Sequence, residues 1–132
     1  MTRSRTFPAV ANSVAAARAF AAQALEDPPL DGAVMEDVAL MVSELATNAI
    51  RHVMSSFHLT VHHTAGEVRV EVTDYGTGTP AMRAAAPGAL NGRGLRIVDM
   101  LATRWGVEAE AQPGKTVWFS LVLATPGVRA AA

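Results

Sequence analysis

The residues best suited to chemistry lie in three short segments that are far apart in the sequence. The first segment contains Glu44 and Asn48, which are one helical turn apart beside a stripe of apolar residues. At this spacing a carboxylate and an amide project from the same side of a helix, so both can reach one ligand that lies over it. The alternative interpretation is a partly exposed polar edge beside the core, with no ligand.

The second segment runs from Asp74 to Pro80 and contains Gly76 and Gly78. An ionised carboxylate accepts hydrogen bonds and cannot donate them. Asp74 therefore suits the exocyclic amine of adenine and would repel the carbonyl that guanine carries at that position. Glycines allow the backbone to approach a flat base closely. The alternative is an ordinary turn at the end of a strand.

The third segment opens a predicted helix with Gly92, Arg93 and Gly94. Glycines at a helix N-terminus leave backbone N–H groups accessible, and such groups bind phosphate oxygens. Arg93 adds a positive charge, and Leu95 begins the apolar side of the helix. A glycine-rich helix start without a ligand is the alternative.

Two further segments match nucleotide-binding patterns but lack the context that those patterns need. Residues 76–81 fit a dinucleotide-binding pattern, yet Pro80 and a loop follow where a crossover helix is required. Residues 114–116 look like the end of a P-loop, but Ala109 occupies the position of the earlier glycine, and a predicted strand follows instead of a helix. We therefore reject both interpretations.

Length and composition exclude several classes of protein. The 132 residues are enough for one domain, which we expect to span the whole chain, and half of them are apolar. A net charge of −1 disfavours binding to nucleic acid or to a membrane surface. The absence of cysteine excludes a disulfide framework, a thiolate zinc site and a cysteine nucleophile. No apolar run approaches the ~20 residues of a membrane span, and no signal-peptide pattern is present, so we expect a cytoplasmic protein.

Hydrophobic periodicity predicts the order strand, two helices, two strands, helix, two strands. The predicted elements are a strand over 6–10, helices over 14–26 and 33–53, strands over 57–62 and 68–73, a helix over 93–103, and strands over 105–110 and 116–123. Hairpin-connected strands predict a mixed, mostly antiparallel sheet with helices on one face, which is a two-layer α+β sandwich. Residues 81–91 are predicted to be a loop or lid, and 124–132 a flexible tail.

Taken together and in this order, the segments resemble the GHKL ATPase superfamily, which contains gyrase-type, chaperone-type, histidine-kinase and mismatch-repair ATPases. Residues 44–52 resemble its N box, 74–80 its first glycine box, 92–95 its second, and 114–119 its last glycine-threonine segment. The resemblance covers about residues 6–123. Within the superfamily the chain is most similar to the small anti-sigma factor serine kinases.

The resemblance implies a Bergerat, or histidine-kinase-like, ATPase fold that binds ATP and Mg²⁺. It implies that Asn48 holds Mg²⁺ through its side-chain oxygen, and that Glu44 is the general base. It also implies that Asp74 recognises adenine with support from Thr116 through water. The remaining positions that the resemblance assigns are Gly76 and Gly78 beneath the base, Gly92, Arg93, Gly94 and Leu95 around the phosphates, and 81–91 as the ATP lid.

The function that the resemblance implies is that of a protein serine kinase that binds a sigma factor. An anti-anti-sigma protein of the STAS type would release the sigma factor and then be phosphorylated on a serine. Homodimers are usual in the family, so a second copy of the chain is a further expected partner. The alternative is an ATP-responsive binding module without phosphotransfer. The catalytic domain of a histidine kinase is not supported, because the chain has no room for dimerisation helices.

Overall fold

The computed structural model describes residues 1–76, 90–109, 114–125 and 127–130. Three α-helices and six strands lie in this part of the chain, and a π-helical turn extends the second helix. In chain order the elements are β1 (Thr2–Phe7), α1 (Ser13–Ala24), α2 (Gly32–Asn48), the π turn (Ala49–Val53), β2 (Phe57–His63), β3 (Glu67–Asp74), α3 (Leu90–Leu101), β4 (Arg104–Ala109), β5 (Lys115–Thr125) and β6 (Val128–Arg129).

The strands form a sheet in the order β1-β2-β3-β5-β4, and β6 pairs with β5. Every pairing among the described strands is antiparallel. The predicted α+β class with a mostly antiparallel sheet is therefore confirmed. The pairing of β3 with β5 brings together the ends of two strands that are far apart in the sequence, and it aligns Asp74 with Lys115.

The hydrophobic core lies between the three helices and one face of the sheet. Side chains alternate between the two faces of a strand, and in β2 and β3 every second residue is buried: Phe57, Leu59, Val61, His63, Val68, Val70, Val72 and Asp74. The helices contribute apolar residues to the same cluster, including Val38, Met41, Val42 and Leu45 of α2 and Val98 of α3. The opposite face is polar at β1 and β2, where Thr6 contacts His58 at 2.7 Å.

The first strand differs from the prediction. β1 begins at Thr2 and ends at Phe7, whereas the sequence pattern predicted a strand over 6–10. β1 is an edge strand, and of its six residues only Phe7 is buried. An edge strand that is polar on both faces has no alternation of apolar and polar residues, so its pattern could not be recognised.

Part of the segment that was predicted to be a flexible tail, 124–132, forms strands in the structure. β5 continues to Thr125, and a turn at Gly127, whose φ is 83°, leads into β6. The guanidinium of Arg129 in β6 donates to Asp37 of α2 at 2.7 Å and to the carbonyl of Leu101 at the end of α3. This part of the tail therefore connects the sheet to two helices.

In the described part of the chain, none of the helices combines the length and the apolar character needed to cross a membrane.

Candidate functional site

The candidate site begins at the C-terminal end of α2, where Glu44 and Asn48 lie one turn apart. The apolar stripe of α2 faces the core and leaves Glu44 half-buried at its edge, while Asn48 is 8% exposed. The side-chain Nδ2 of Asn48 has no hydrogen-bond partner among the described residues. A buried polar atom without a partner costs about 1–3 kcal/mol. The position of Asn48 therefore fits a residue that is completed by a ligand.

After Asn48 the helix widens into the π turn, Ala49–Val53, and ends at Met54 in the left-handed region with φ of 55°. π turns are rare and frequent at functional sites. This turn places Val53 against Gly76: a Cβ atom at Gly76 would overlap Cγ1 of Val53. A glycine at this position therefore allows the end of α2 to contact the segment that follows β3.

Asp74 is the last residue of β3 and is 5% exposed, on the face of the sheet that the helices cover. Its Oδ1 accepts a hydrogen bond from the backbone N–H of Gly76 at 3.3 Å. Its Oδ2 accepts a hydrogen bond from the ammonium of Lys115, which is also buried. Gly114, with φ of 120°, passes so close that a Cβ atom there would overlap the carbonyl oxygen of Asp74.

The structure does not bring Thr116 together with Asp74, in contrast to the expectation from the sequence. Lys115 and Thr116 are adjacent in β5, so their side chains point to opposite faces of the sheet. The hydroxyl of Thr116 contacts the hydroxyl of Thr73 at 2.7 Å on the outer face. Lys115 is the residue of this segment that faces Asp74, and sequence reasoning missed it.

Two features of the sequence could have identified Lys115 as a candidate site residue. It is the only lysine of the chain, and it directly precedes a predicted apolar strand. Its partner could not be inferred, because Asp74 and Lys115 are 41 positions apart and the register of β3 on β5 is set by tertiary structure.

The glycine-rich segment of the third helix lies inside α3. The helix begins at Leu90, so Gly92 and Arg93 fall in its first turn, and Gly94 follows at the start of the second. This corrects the predicted start at Arg93 and shows that residues 90 and 91 are helical instead of part of a lid. Leu95 is 5% exposed and belongs to the core. Gly78 and residues 81–89 of the expected lid lie outside the described residues.

The arrangement places the candidate residues in a consistent order along α2. Val53 contacts Gly76 next to Asp74, Asn48 lies one turn further back, and Glu44 lies about 6 Å beyond Asn48 along the helix axis. α3 packs against α2. A flat group near Asp74 and a charged group extending toward α2 and α3 would therefore contact successive parts of the site.

Asn48 is the residue that the sequence resemblance assigns to a metal ion. Among residues 1–76, 90–109, 114–125 and 127–130, no group of three or more histidine, aspartate or glutamate residues could hold a metal. An amide oxygen is a suitable ligand for Mg²⁺, which keeps several waters and takes further oxygens from substrate phosphates. Asn48 would hold such an ion through its side-chain oxygen, as the sequence resemblance implies.

These features define an α+β domain with a buried carboxylate at a strand end, an acid and an amide on the adjacent helix, and glycines at close approaches. The family model of the histidine kinase-like ATPase domain matches residues 7–121, which is most of the chain. The chain therefore belongs to the histidine kinase-like ATPase family, and the resemblance to GHKL ATPases is confirmed at the level of the family.

Among solved structures, the chain is similar to the crystal structure of the RsbU and RsbW domains of Rv1364c from Mycobacterium tuberculosis. The TM-score is 0.72 at 19% sequence identity, and the match covers all of this chain and 34% of that one. The chain thus spans about a third of the length of that protein, and at this identity the match shows the shared fold. A search of functionally curated proteins gave no match.

Proposed function

We propose that this domain binds ATP with Mg²⁺ and acts as a protein serine kinase of the anti-sigma type. Membership of an ATPase domain family implies ATP binding. The observation that carries the proposal is the pair of Glu44 and Asn48: a half-buried carboxylate one turn from a buried amide that is not fully hydrogen-bonded. A domain that only bound nucleotide would need no carboxylate at the position of Glu44.

The proposed reaction transfers the γ-phosphoryl group of ATP to a serine hydroxyl. The serine oxygen forms a bond to the γ-phosphorus while the bond from that phosphorus to the β–γ bridging oxygen breaks, so ADP leaves. Glu44 accepts the proton of the hydroxyl, and a half-buried carboxylate is accessible to such a substrate. Asn48 would hold Mg²⁺, which supplies charge neutralisation at the phosphates when bound.

The remaining residues are assigned to the two other parts of ATP, the adenine and the phosphates. Asp74 would accept a hydrogen bond from the exocyclic amine of adenine, with Gly76 and Gly78 beneath the base. The start of α3 would lie against the phosphates, where the resemblance assigns Gly92, Arg93, Gly94 and Leu95. The side chain of Leu95 belongs to the core, so this residue would contribute through its backbone. Thr116 is left out of this proposal, because its hydroxyl lies on the other face of the sheet.

The proposed partners are a sigma factor, which the domain would bind, and a STAS-type anti-anti-sigma protein, which it would phosphorylate. The sequence resemblance to anti-sigma kinases supports this assignment, as does a fold shared with a structure that contains an RsbW domain. The proposal includes a homodimer and places the protein in the cytoplasm, where sigma factors act.

Phosphate transfer from γ-labelled ATP tests the proposal. Purified protein is incubated with Mg²⁺, labelled ATP and candidate anti-anti-sigma proteins encoded by the same genome, and each partner is also supplied with its acceptor serine replaced by alanine. We expect label on one partner and none on its alanine variant. If ATP binds and a partner binds but no label is transferred, the domain is an ATP-responsive binding module instead of a kinase.

A further inference from the structure

The only lysine of the chain is buried, and the packing of the core does not explain why. Lys115 is 5% exposed, and its neighbours on the same face of β5 are the apolar residues Val117, Phe119 and Leu121. Lysine is almost never fully buried unless it is paired, and removing two ions from water costs more than a packed apolar pair. The ion pair of Lys115 with Asp74 therefore suggests a function.

The pair lies where β3 ends and β5 begins, next to two glycines, Gly76 and Gly114, that permit close approach. Oδ1 of Asp74 accepts from Gly76, and Oδ2 accepts from Lys115. An ammonium has three N–H donors, and within the described part of the chain the one hydrogen bond that the side chain of Lys115 makes is to Asp74. The carboxylate of Asp74, a hydrogen-bond acceptor, thus lies beside the ammonium of Lys115, which has further N–H groups to donate.

We propose that Lys115 and Asp74 recognise the base together, an inference that rests on the ATP site proposed above. Adenine presents a donor, its exocyclic amine, next to an acceptor, the ring nitrogen N1. Asp74 accepts from the amine, and Lys115 donates to N1. The charges of the Asp74 carboxylate and the Lys115 ammonium cancel, so the pair that contacts the uncharged base has no net charge. Guanine in the same orientation would place a carbonyl at the carboxylate and an N–H at the ammonium.

The test compares ATP with analogues that lack one ring nitrogen, using calorimetry on the wild-type protein. In 1-deaza-ATP a C–H replaces N1, whereas 7-deaza-ATP is altered at a position away from the edge that carries N1. A hydrogen bond from a charged donor corresponds to an affinity change of about 10- to 100-fold. We expect 1-deaza-ATP to bind that much more weakly than ATP, and 7-deaza-ATP to bind like ATP.

The variant Lys115→Met links the effect to the residue. It should bind ATP about as weakly as the wild type binds 1-deaza-ATP, and it should not distinguish the two ligands. Because this change leaves Asp74 buried without its counter-charge, the double variant Asp74→Asn/Lys115→Met is measured as well and should also be indifferent to N1. The wild-type comparison does not depend on the folding of either variant.

Two results would overturn the inference while leaving ATP binding intact. Equal affinity of the wild type for ATP and 1-deaza-ATP would show that Lys115 makes no bond to N1. Tighter ATP binding by Lys115→Met than by the wild type would show that the lysine competes with the base for Asp74. If the wild type bound none of the three nucleotides, the proposed function would fail together with the inference.

Discussion

Asp74 combines burial, a strand-end position and a bonded lysine, so a change of its charge should alter both affinity and base preference. Asp74→Asn presents a weaker acceptor or an NH₂ group to the adenine amine and leaves Lys115 without its counter-charge. We expect ATP binding to weaken by roughly 1–3 kcal/mol, toward the upper end of that range, and the preference for ATP over GTP to shrink. Calorimetry with both nucleotides measures each effect.

Asp99→Asn is a matched control for the change at Asp74. Asp99 is exposed on α3 and accepts a hydrogen bond from the indole N–H of Trp105 at 2.8 Å, which an asparagine oxygen can also accept. Its replacement should leave ATP affinity unchanged. Equal binding of ATP and GTP by the wild type would contradict the role of Asp74.

Asn48 carries the prediction about metal. Asn48→Ala removes the side-chain oxygen that is proposed to bind Mg²⁺, and it also removes a buried nitrogen without a partner. We therefore expect Mg²⁺-dependent ATP binding to weaken more than metal-free ADP binding, with little loss of stability. Gln23→Ala, which removes an exposed amide on α1, should change neither. An equal loss for both nucleotides would indicate a structural role for Asn48.

Glu44 carries the prediction about catalysis. A general base contributes about 10²–10⁴-fold to the rate of transfer and little to ground-state binding. Glu44→Gln should therefore lower phosphorylation of the partner by that factor, with near-normal ATP affinity and melting temperature. Glu36→Gln is the control, since Glu36 is exposed two turns earlier on the same helix. Unchanged transfer in Glu44→Gln would refute the assignment.

At the scale of elements, two glycines determine how closely the strand ends approach each other. Gly114 has a positive φ, and a Cβ atom there would overlap the backbone of Asp74, which cannot move without disturbing β3. Gly114→Ala should lower the free energy of unfolding by about 1–3 kcal/mol or more, and nucleotide binding should weaken with it. Gly66→Ala is the control: a Cβ atom at Gly66 meets nothing within 4 Å. Urea unfolding of both variants makes the comparison.

The elements that could be predicted are those with a clear period. The apolar stripe of α2 and the alternation in β2 and β3 are local patterns, and the helix and the hairpin lie where those patterns placed them. The position of β1 was predicted wrongly because its residues are almost all exposed. β6 was missed because a strand of two residues is too short to show hydrophobic periodicity.

The candidate site was predictable only in part, for a related reason. Glu44 and Asn48 follow from helical spacing alone. The π turn that brings Val53 to Gly76 has no sequence signal of its own, because it depends on how α2 packs against the end of β3. Lys115 faces Asp74, and Thr116 does not, because of the register of β5 on β3. A shift of one residue in that register would exchange the two faces of the strand.

At the scale of the whole molecule, His63 couples stability to pH. It is buried on the helix-facing side of β2, and neither ring nitrogen has a hydrogen-bond partner among the described residues. Burial lowers the pKa of His63 below its ordinary value of 6.5, and the nearby N-terminal ammonium acts in the same direction. The unfolded chain therefore binds a proton at higher pH than the folded one does, and stability falls as the pH decreases below about 6.5.

Urea unfolding at several pH values between 7.5 and 5 measures this dependence. His63→Leu should remove the part of the acid destabilisation that arises from this histidine. His58→Gln is the control, because His58 lies on the outer face of the sheet and contacts Thr6. An unchanged pH dependence in His63→Leu would show that other groups are responsible.

The burial of the only lysine also determines how the protein reacts with acylating reagents. Such reagents attack unprotonated amines, and this chain offers its terminal α-amine and a single ε-amine, that of Lys115. The ε-amine is buried and bonded to Asp74, so it becomes reactive only when this ion pair opens. The rate at which a second acyl group is added, followed by mass spectrometry, therefore measures how often this one corner of the domain opens.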